Sequence, residues 1–167
     1  MFEEQLKDIP TLLKYAIKGE EIGKKFYGYL AEKATNKEAK KRLENLRDDE
    51  ARHENIFRDL YKKHVSKDIG ELPEKGLDAL ASIFTKERLD KVNSEMEYIS
   101  LAIEAEITTT RFYKEGVKAV EDKQFKEILH QLSEEENAHY EILMAEKEAL
   151  AGNYFWFSAD GTSPMED

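Results

Sequence analysis

The chain has 167 residues, 40% hydrophobic and 37% charged, a composition typical of one globular, helix-rich domain. Its formal net charge is −10, so the basic surface of a nucleic-acid-binding protein is missing and we expect no nucleic-acid partner. It contains no cysteine, which excludes disulfides, thiolate catalysis, iron–sulfur clusters and cysteine-bound zinc. Any metal must therefore be bound by carboxylate, imidazole and water, a ligand set suited to Fe or Mn.

The N-terminal residues Met1–Ile9 do not contain the apolar segment of a secretory signal. Apolar runs elsewhere are all shorter than the roughly 18 residues of a membrane-spanning helix. We therefore expect a cytoplasmic protein that does not enter a membrane.

Apolar residues recur at helical spacing along almost the whole chain, and the interruptions predict an all-α fold of four long helices. The first two helices meet at Thr35–Glu38, a segment that fits a capping box, or a close variant of one, at the start of the second helix. Ser94 and Glu97 fit another capping box at the start of the third helix. We expect the first, third and fourth helices at residues 11–34, 94–120 and 123–151.

The connections between these helices differ in length. The first and third connections are only a few residues long, so each joins its helices into an antiparallel hairpin. The middle connection, residues 62–93, is long enough to cross the whole bundle. It contains Gly70, Pro73 and Gly76 as turn-forming residues. An amphipathic stretch then predicts a short extra helix, with apolar residues Leu77, Leu80, Ala81 and Phe84.

Residues 1–152 are expected to form the bundle, and residues 153–167 a tail that is not a separate domain. The tail holds four consecutive aromatic residues, from Tyr154 to Phe157. We interpret this aromatic run as a hydrophobic plug on the end of the bundle. Burial in a homodimer interface is the alternative, because four exposed aromatic side chains together would be unusual.

The two expected hairpins have related sequences. When the chain is shifted onto itself, acids, imidazoles and apolar residues of the first hairpin align with those of the second. The aligned pairs include Glu20/Glu106, Tyr27/Tyr113, Glu50/Glu136 and His53/His139. This internal repeat predicts two hairpins of similar structure.

The inward face of each expected helix is apolar except near its middle, where acids and imidazoles occupy core positions. Buried charge is costly unless it is paired or binds a metal. Glutamate and histidine three residues apart lie on one helix face about 5 Å apart, so both can bind one metal while the carboxylate bridges to a second. The pattern predicts a two-metal site with six ligands: Glu20, Glu50, His53, Glu106, Glu136 and His139.

A single Glu-x-x-His pair is a weak signal, and the alternative for the whole set is a bundle with two satisfied core histidines and outward-reaching glutamates. His64 and His130 lack such a context, so we expect them at the surface. Tyr27 and Tyr113 lie two helical turns after the glutamates of their helices, on the same face, and could hydrogen-bond a ligand carboxylate across the bundle. Ordinary amphipathic core residues are an equal interpretation of these tyrosines.

These patterns resemble the ferritin-like superfamily, and the segment Ala16–Tyr29, Ala-Ile-Lys-Gly-Glu-Glu-Ile-Gly-Lys-Lys-Phe-Tyr-Gly-Tyr, is similar to its rubrerythrin branch. The resemblance covers residues 10–61 and 95–150. It implies a ferritin-like up-down bundle with a long crossover between the second and third helices. It also implies two Fe ions, with Mn or Zn as substitutes, and bridging ligands Glu50 and Glu136.

Related bacterioferritin-like sites place an acid before each bridging glutamate, where it orients the opposite histidine. Asp49 and Glu135 match that position, although an ordinary acidic helix face is an equal interpretation. Rubrerythrins carry a further glutamate where this chain has Thr109, and a cysteine-rich rubredoxin domain that this sequence does not contain. We therefore expect a separate electron-donor protein, or substrate iron, to supply electrons.

The leading hypothesis is an oxidoreductase, a rubrerythrin-like peroxidase or oxidase, that reduces peroxide or dioxygen at a di-iron centre. One alternative is a ferroxidase or iron-handling protein. A near-symmetric set of four glutamates and two histidines resembles ferroxidase centres as much as it resembles rubrerythrin centres. The other is a structural bundle that binds Zn or Mn. We expect no catalytic residue beyond the metal ligands and no other cofactor.

Overall fold

The computed structural model describes residues 1–77, 87, 89, 94–152 and 155–157. These residues form four long helices and no strand: α1 Ile9–Lys33, α2 Lys37–His64, α3 Glu95–Ala119 and α4 Lys123–Leu150. The predicted all-α, four-helix bundle is therefore confirmed. The short extra helix predicted in the crossover lies mostly outside the described residues. Within the described ranges, none of the helices combines the length and apolar character needed to cross a membrane.

Each helix begins after a polar side chain that accepts a hydrogen bond from a backbone N–H group of the first turn. These capping residues are Asp8, Asn36, Ser94 and Asp122. The cap expected within Thr35–Glu38 is present as a variant of the capping box, in which Asn36 rather than Thr35 caps α2 and accepts from the N–H group of Ala39 at 3.0 Å. Thr35 instead donates its own N–H group to the carbonyl of Trp156 at 2.8 Å.

The two hairpins pack face to face. α1 packs along α2 and α3 along α4, while α1 also lies beside α3 and α2 beside α4. Tyr27 of α1 contacts Glu106 of α3, and Glu20 contacts Tyr113, so the order of contacts shows that α1 and α3 are antiparallel. α2 and α3 therefore point the same way, and the segment between them has to run the length of the bundle.

The described part of this crossover follows the outside of α1. Gly70 and Gly76 have φ angles of 69° and 68°, a backbone conformation that favours glycine. A Cβ on Gly70 would lie near Lys14, and one on Gly76 would lie 3.0 Å from the side chain of Ile22. The crossover thus advances along α1, with Leu77 buried in the core.

Two hydrophobic clusters fill the bundle, one toward each end. The first contains residues such as Leu13, Phe57 and Leu129. The second contains residues such as Leu30 and Leu143. Between these clusters the interior is occupied by buried acids and imidazoles, so the polar centre is enclosed by apolar packing on both sides.

Trp156 of the aromatic tail is buried against the second cluster, with 1% of its surface exposed. Its indole N–H donates to Glu146 of α4 at 3.0 Å. Its carbonyl accepts from the N–H groups of Thr35 and Asn36 in the α1–α2 turn. Trp156 therefore packs on this chain's own helices and joins the end of α4 to that turn, whereas Tyr154 lies outside the described residues.

Candidate metal centre

All six residues predicted as metal ligands are buried in the middle of the bundle, and the most exposed of them shows 4% of its surface. α1 and α3 each contribute one glutamate, and α2 and α4 each contribute a Glu-x-x-His pair. The side chains form two groups whose ligand atoms lie within 4.8 Å of one another: Glu20, Glu50, His53, Glu136 and Glu50, Glu106, Glu136, His139. Glu50 and Glu136 belong to both groups, so each could serve both halves of the centre.

The internal repeat relates the two groups by an approximate twofold symmetry. His53 Nδ1 lies 2.6 Å from Glu136 Oε1 and 3.5 Å from Glu20 Oε2. For His139 Nδ1 the corresponding distances are 3.2 Å to the shared glutamate of α2 and 3.6 Å to the glutamate of α3. The two rings are nearly parallel, at 15°, with centroids 5.8 Å apart. Each imidazole thus directs Nδ1 toward one shared and one unshared carboxylate.

Each of the six side chains has one buried atom that makes no well-aligned hydrogen bond with any described residue, although some of these atoms lie close to one another. These atoms are Glu20 Oε2, Glu50 Oε1, His53 Nδ1, Glu106 Oε2, Glu136 Oε1 and His139 Nδ1. A buried polar atom without a partner costs about 1–3 kcal/mol, so six that converge are hard to explain as ordinary core packing. Four carboxylates would balance the charge of two divalent cations, and the histidines would give each cation one nitrogen. The donor set therefore fits a pair of metal ions.

When no cation balances the buried carboxylates, the pKa values of several glutamates and histidines of the centre are raised, so these side chains hold protons. Burial, followed by the charge of Glu136, raises the pKa of Glu106 to about 8. The same two causes raise the pKa of Glu50 well above its usual range. Burial lowers the pKa of His53, but its interactions with the Glu136 and Glu20 carboxylates outweigh burial and raise this pKa to about 11. Metal cations would take over the role of these protons.

The outer nitrogen of each histidine contacts an acid on the facing helix. His53 Nε2 lies 2.7 Å from Glu135 Oε2, and His139 Nε2 lies 3.0 Å from Asp49 Oδ2. A carboxylate at this position holds a proton on Nε2, so Nδ1 is the nitrogen that can bind a metal once it has lost its own proton. The structure thus places Asp49 and Glu135 beside the opposite histidines, in the arrangement that the resemblance implied.

Tyr27 and Tyr113 reach across the α1–α3 interface. The hydroxyl of Tyr27 donates to Glu106, and that of Tyr113 donates to Glu20. Burial, followed by the charges of the nearby carboxylates, raises the pKa of both tyrosines well above its usual range. The phenols therefore remain protonated donors, and each leaves the second oxygen of its glutamate directed at the centre.

A small cavity lies beside the centre between α1 and α3. Its lining includes Gly19, Gly23, Ala105 and Thr109, together with ligand carboxylates. A Cβ on Gly23 would lie 2.5 Å from Glu50 Oε2, so this glycine makes room for that carboxylate. The internal repeat aligns Gly23 with Thr109, so the two sides of the centre differ in the space beside them.

The other two histidines, His64 and His130, are exposed, as predicted. Sequence reasoning did not identify Arg52, whose guanidinium donates to Glu135 and lies 3.4 Å from His53 Nε2. A signal for it was present, because the internal repeat aligns this arginine with Ala138.

Comparison with known proteins agrees with this geometry. The rubrerythrin family model matches residues 11–147. The chain belongs to the rubrerythrin family. As a rubrerythrin-family protein, it combines the expected bundle with a buried Glu/His group that is compatible with a di-iron site.

A solved structure also resembles this rubrerythrin-family chain. It is a hypothetical protein from Pyrococcus furiosus, with a TM-score of 0.71 and 25% sequence identity. The alignment covers 90% of this chain and 93% of that one, so the similarity extends over the whole bundle. Curated protein sequences give no significant match.

Proposed function

We propose that this rubrerythrin-family protein binds two iron ions at the six buried residues and uses them to reduce peroxide or dioxygen. The observation that supports this most directly is the convergence of six buried ligand atoms that lack a well-aligned hydrogen bond, in two groups that share Glu50 and Glu136. Family membership supports iron as the metal. A pair of ferrous ions supplies two electrons, the number needed to convert one hydrogen peroxide and two protons into two water molecules.

The side chains divide into two sets of ligands. His53 and Glu20 would bind one ion, His139 and Glu106 would bind the other, and the two shared glutamates would join them. This assignment follows from the two groups of mutually close atoms and from their relation by the internal repeat.

The surrounding residues hold these ligands in place. Tyr27 and Tyr113 each fix one carboxylate by donating a hydrogen bond, and the two outer acids fix the imidazole tautomers. Groups that are positioned before a reaction need little reorganisation during it. The cavity is small and is lined partly by Gly23 and Thr109 and partly by Phe26 and Tyr27, and its small size favours small oxidants over larger molecules.

Stopped-flow mixing of the reduced, iron-loaded protein with hydrogen peroxide tests the proposal directly. We expect the bound iron to be oxidised faster than the same concentration of free ferrous ion. Addition of an electron donor after this oxidation should restore the reduced protein and permit another cycle. Oxidation no faster than that of free ferrous ion would refute the proposed activity.

A ferroxidase or iron-handling role is the second candidate, supported by one specific observation. Thr109 is buried beside the ligands at the position where a rubrerythrin carries a further glutamate, which leaves a symmetric set of four glutamates and two histidines. This role predicts oxidation of many ferrous ions per protein, or assembly into a shell detectable by light scattering. A monomer or dimer that stops at two irons would contradict storage.

The identity of the metal has its own test. Elemental analysis of protein purified from its native host should find iron. A large excess of zinc would instead favour a structural zinc site, because zinc binds more tightly than iron to a permissive site.

A further inference from the structure

Arg52 breaks the symmetry that the internal repeat otherwise gives the centre. It precedes His53 on α2, whereas the aligned residue that precedes His139 on α4 is Ala138. The α2 half of the centre therefore has a guanidinium group where the α4 half has a methyl group.

This guanidinium contacts the outer acids unequally. Its Nη2 atom donates to Glu135, which itself contacts His53 Nε2 at 2.7 Å. The same Nη2 lies 3.4 Å from His53 Nε2. It lies 3.6 Å from Oδ1 of Asp49, whose other oxygen contacts His139. Arg52 thus pairs closely with the acid that serves one histidine and only loosely with the acid that serves the other.

The physical consequence follows from how an outer acid acts on a ligand histidine. A carboxylate that accepts the Nε2 proton makes Nδ1 a stronger donor to a metal. An arginine bonded to that carboxylate withdraws part of its negative charge. The arginine's own positive charge also disfavours a cation nearby, and this repulsion is partly screened because the Arg52 side chain is half exposed. Both effects act mainly on the His53 half of the centre.

We propose that Arg52 is a positioning residue that makes the two metal positions unequal, so that the position at His53 binds a divalent cation more weakly than the position at His139. The same charge would stabilise the more reduced ion at His53 and raise its reduction potential. This inference rests on the proposed two-metal centre and adds to it an order in which the two positions fill.

Titration of the full-length, metal-free protein with Co²⁺ tests the inference without any measurement of activity. Calorimetry and the visible absorption of bound Co²⁺ report the affinity of each position. His139→Ala leaves the His53 position, and His53→Ala leaves the His139 position, so each variant provides a background in which one position is observed alone. Arg52→Ala, which copies the aligned Ala138, is then added to both backgrounds.

We expect Arg52→Ala to tighten Co²⁺ binding roughly tenfold at the His53 position, the usual size of an outer-residue effect on metal sites. The effect at the His139 position should be clearly smaller. Arg52→Lys, which retains the charge, should keep most of the original difference. Arg47→Ala is the matched control, because it removes a partly exposed arginine of α2 that contacts Asp48 rather than the outer acids.

Equal changes at both positions, no change at either, or identical behaviour of Arg52→Lys and Arg52→Ala would overturn the inference. Failure of the unmodified protein to bind Co²⁺ at all would instead refute the two-metal centre itself. A smaller difference between the two reduction potentials in iron-loaded Arg52→Ala would provide independent support.

Discussion

Gly23 of α1 lies so close to Glu50 of α2 that a Cβ on the glycine would be 2.5 Å from Oε2 of the glutamate. Real Cβ atoms do not approach other atoms this closely, so one of the two groups would have to move. The observed position of the Glu50 carboxylate therefore requires that residue 23 have no side chain.

We expect Gly23→Ala to displace Glu50 and to weaken binding of the metal pair by about tenfold or more. Alanine should also favour the helix by about 1 kcal/mol, so weaker metal binding need not accompany a less stable metal-free protein. Metal stoichiometry and thermal unfolding of the metal-free protein separate the two effects.

Gly28→Ala is the matched control for this substitution. A Cβ on Gly28 would meet only the side chain of Arg47, at an ordinary 3.6 Å. We expect this variant to bind metal normally. Normal binding by Gly23→Ala as well would show that Glu50 can move without loss.

The two tyrosines that bond to ligand carboxylates allow a second test. Tyr27→Phe and Tyr113→Phe should each remove a hydrogen bond to a buried carboxylate, an interaction of about 1.5–3 kcal/mol. Because both phenols remain protonated, the loss should be similar across neutral and alkaline pH. We expect weaker metal binding by calorimetry, with Tyr15→Phe as a control outside the centre. Unchanged affinity in both variants would assign these tyrosines to core packing alone.

Removal of a ligand should lower the metal stoichiometry. His53→Ala removes a terminal nitrogen, and Glu136→Ala removes a shared carboxylate. We expect both variants to bind fewer than two metals per chain. His130→Ala is the control, since it removes an exposed imidazole outside the centre. Retention of two metals in either ligand variant, measured by elemental analysis, would overturn the assignment.

Metal binding should tighten as pH rises, because cations must replace protons held by the centre. Burial lowers the pKa of His53, but its interactions with nearby glutamates outweigh burial and raise this pKa to about 11, while burial and the charge of Glu136 raise the pKa of Glu106 to about 8. Both groups therefore carry a proton near neutral pH. Calorimetry in buffers of different ionisation enthalpy counts the protons released. Release of no proton on loading would contradict these shifts.

The same pKa shifts determine how the stability of the metal-free protein varies with pH. The pKa of Glu106 rises from 4.5 and that of His53 from 6.5, so the folded protein binds more protons than the unfolded chain. The free energy of unfolding should therefore fall as pH rises. Glu106 contributes to this loss between pH 4.5 and about 8, and His53 contributes between pH 6.5 and about 11. Thermal unfolding of metal-free and metal-loaded protein measures this, and metal should reduce the loss. A metal-free melting temperature that increases over this range would show the opposite sign.

Trp156 connects the tail to the bundle, and its removal should destabilise the fold without changing the ligands. We expect Trp156→Ala to lower the free energy of unfolding by about 3–5 kcal/mol, through the cavity it leaves and the loss of the donor to Glu146. Metal stoichiometry at low temperature should be preserved, because the second cluster separates this residue from the centre. Phe155→Ala, at a residue 40% exposed, is the control for denaturant unfolding. Equal stability losses in the two variants would contradict a specific role for Trp156.

Much of the centre could be predicted because helical periodicity is a local property. The spacing of Glu50 and His53 puts both on one face whatever the rest of the chain does, and the apolar residues before and after them indicate that this face is inward. The internal repeat then identified the corresponding pair on α4. The polar stretch at mid-helix, and the cost of burying it unpaired, indicated a metal site before any contact was known.

The contacts between helices depend on the tertiary structure, because rotation and separation of the helices decide which side chains meet. The sequence placed a cap of α2 within Thr35–Glu38, but only the tertiary structure shows that Asn36 provides it and that the N–H group of Thr35 donates to the carbonyl of Trp156. Arg52 is locally an ordinary charged residue of α2, and only the packing of α4 brings Glu135 to it. The sequence by itself thus determined the six inward donors and the four helices, through spacing along each helix. The tertiary structure decided which outer residues hold those donors and how the two halves differ.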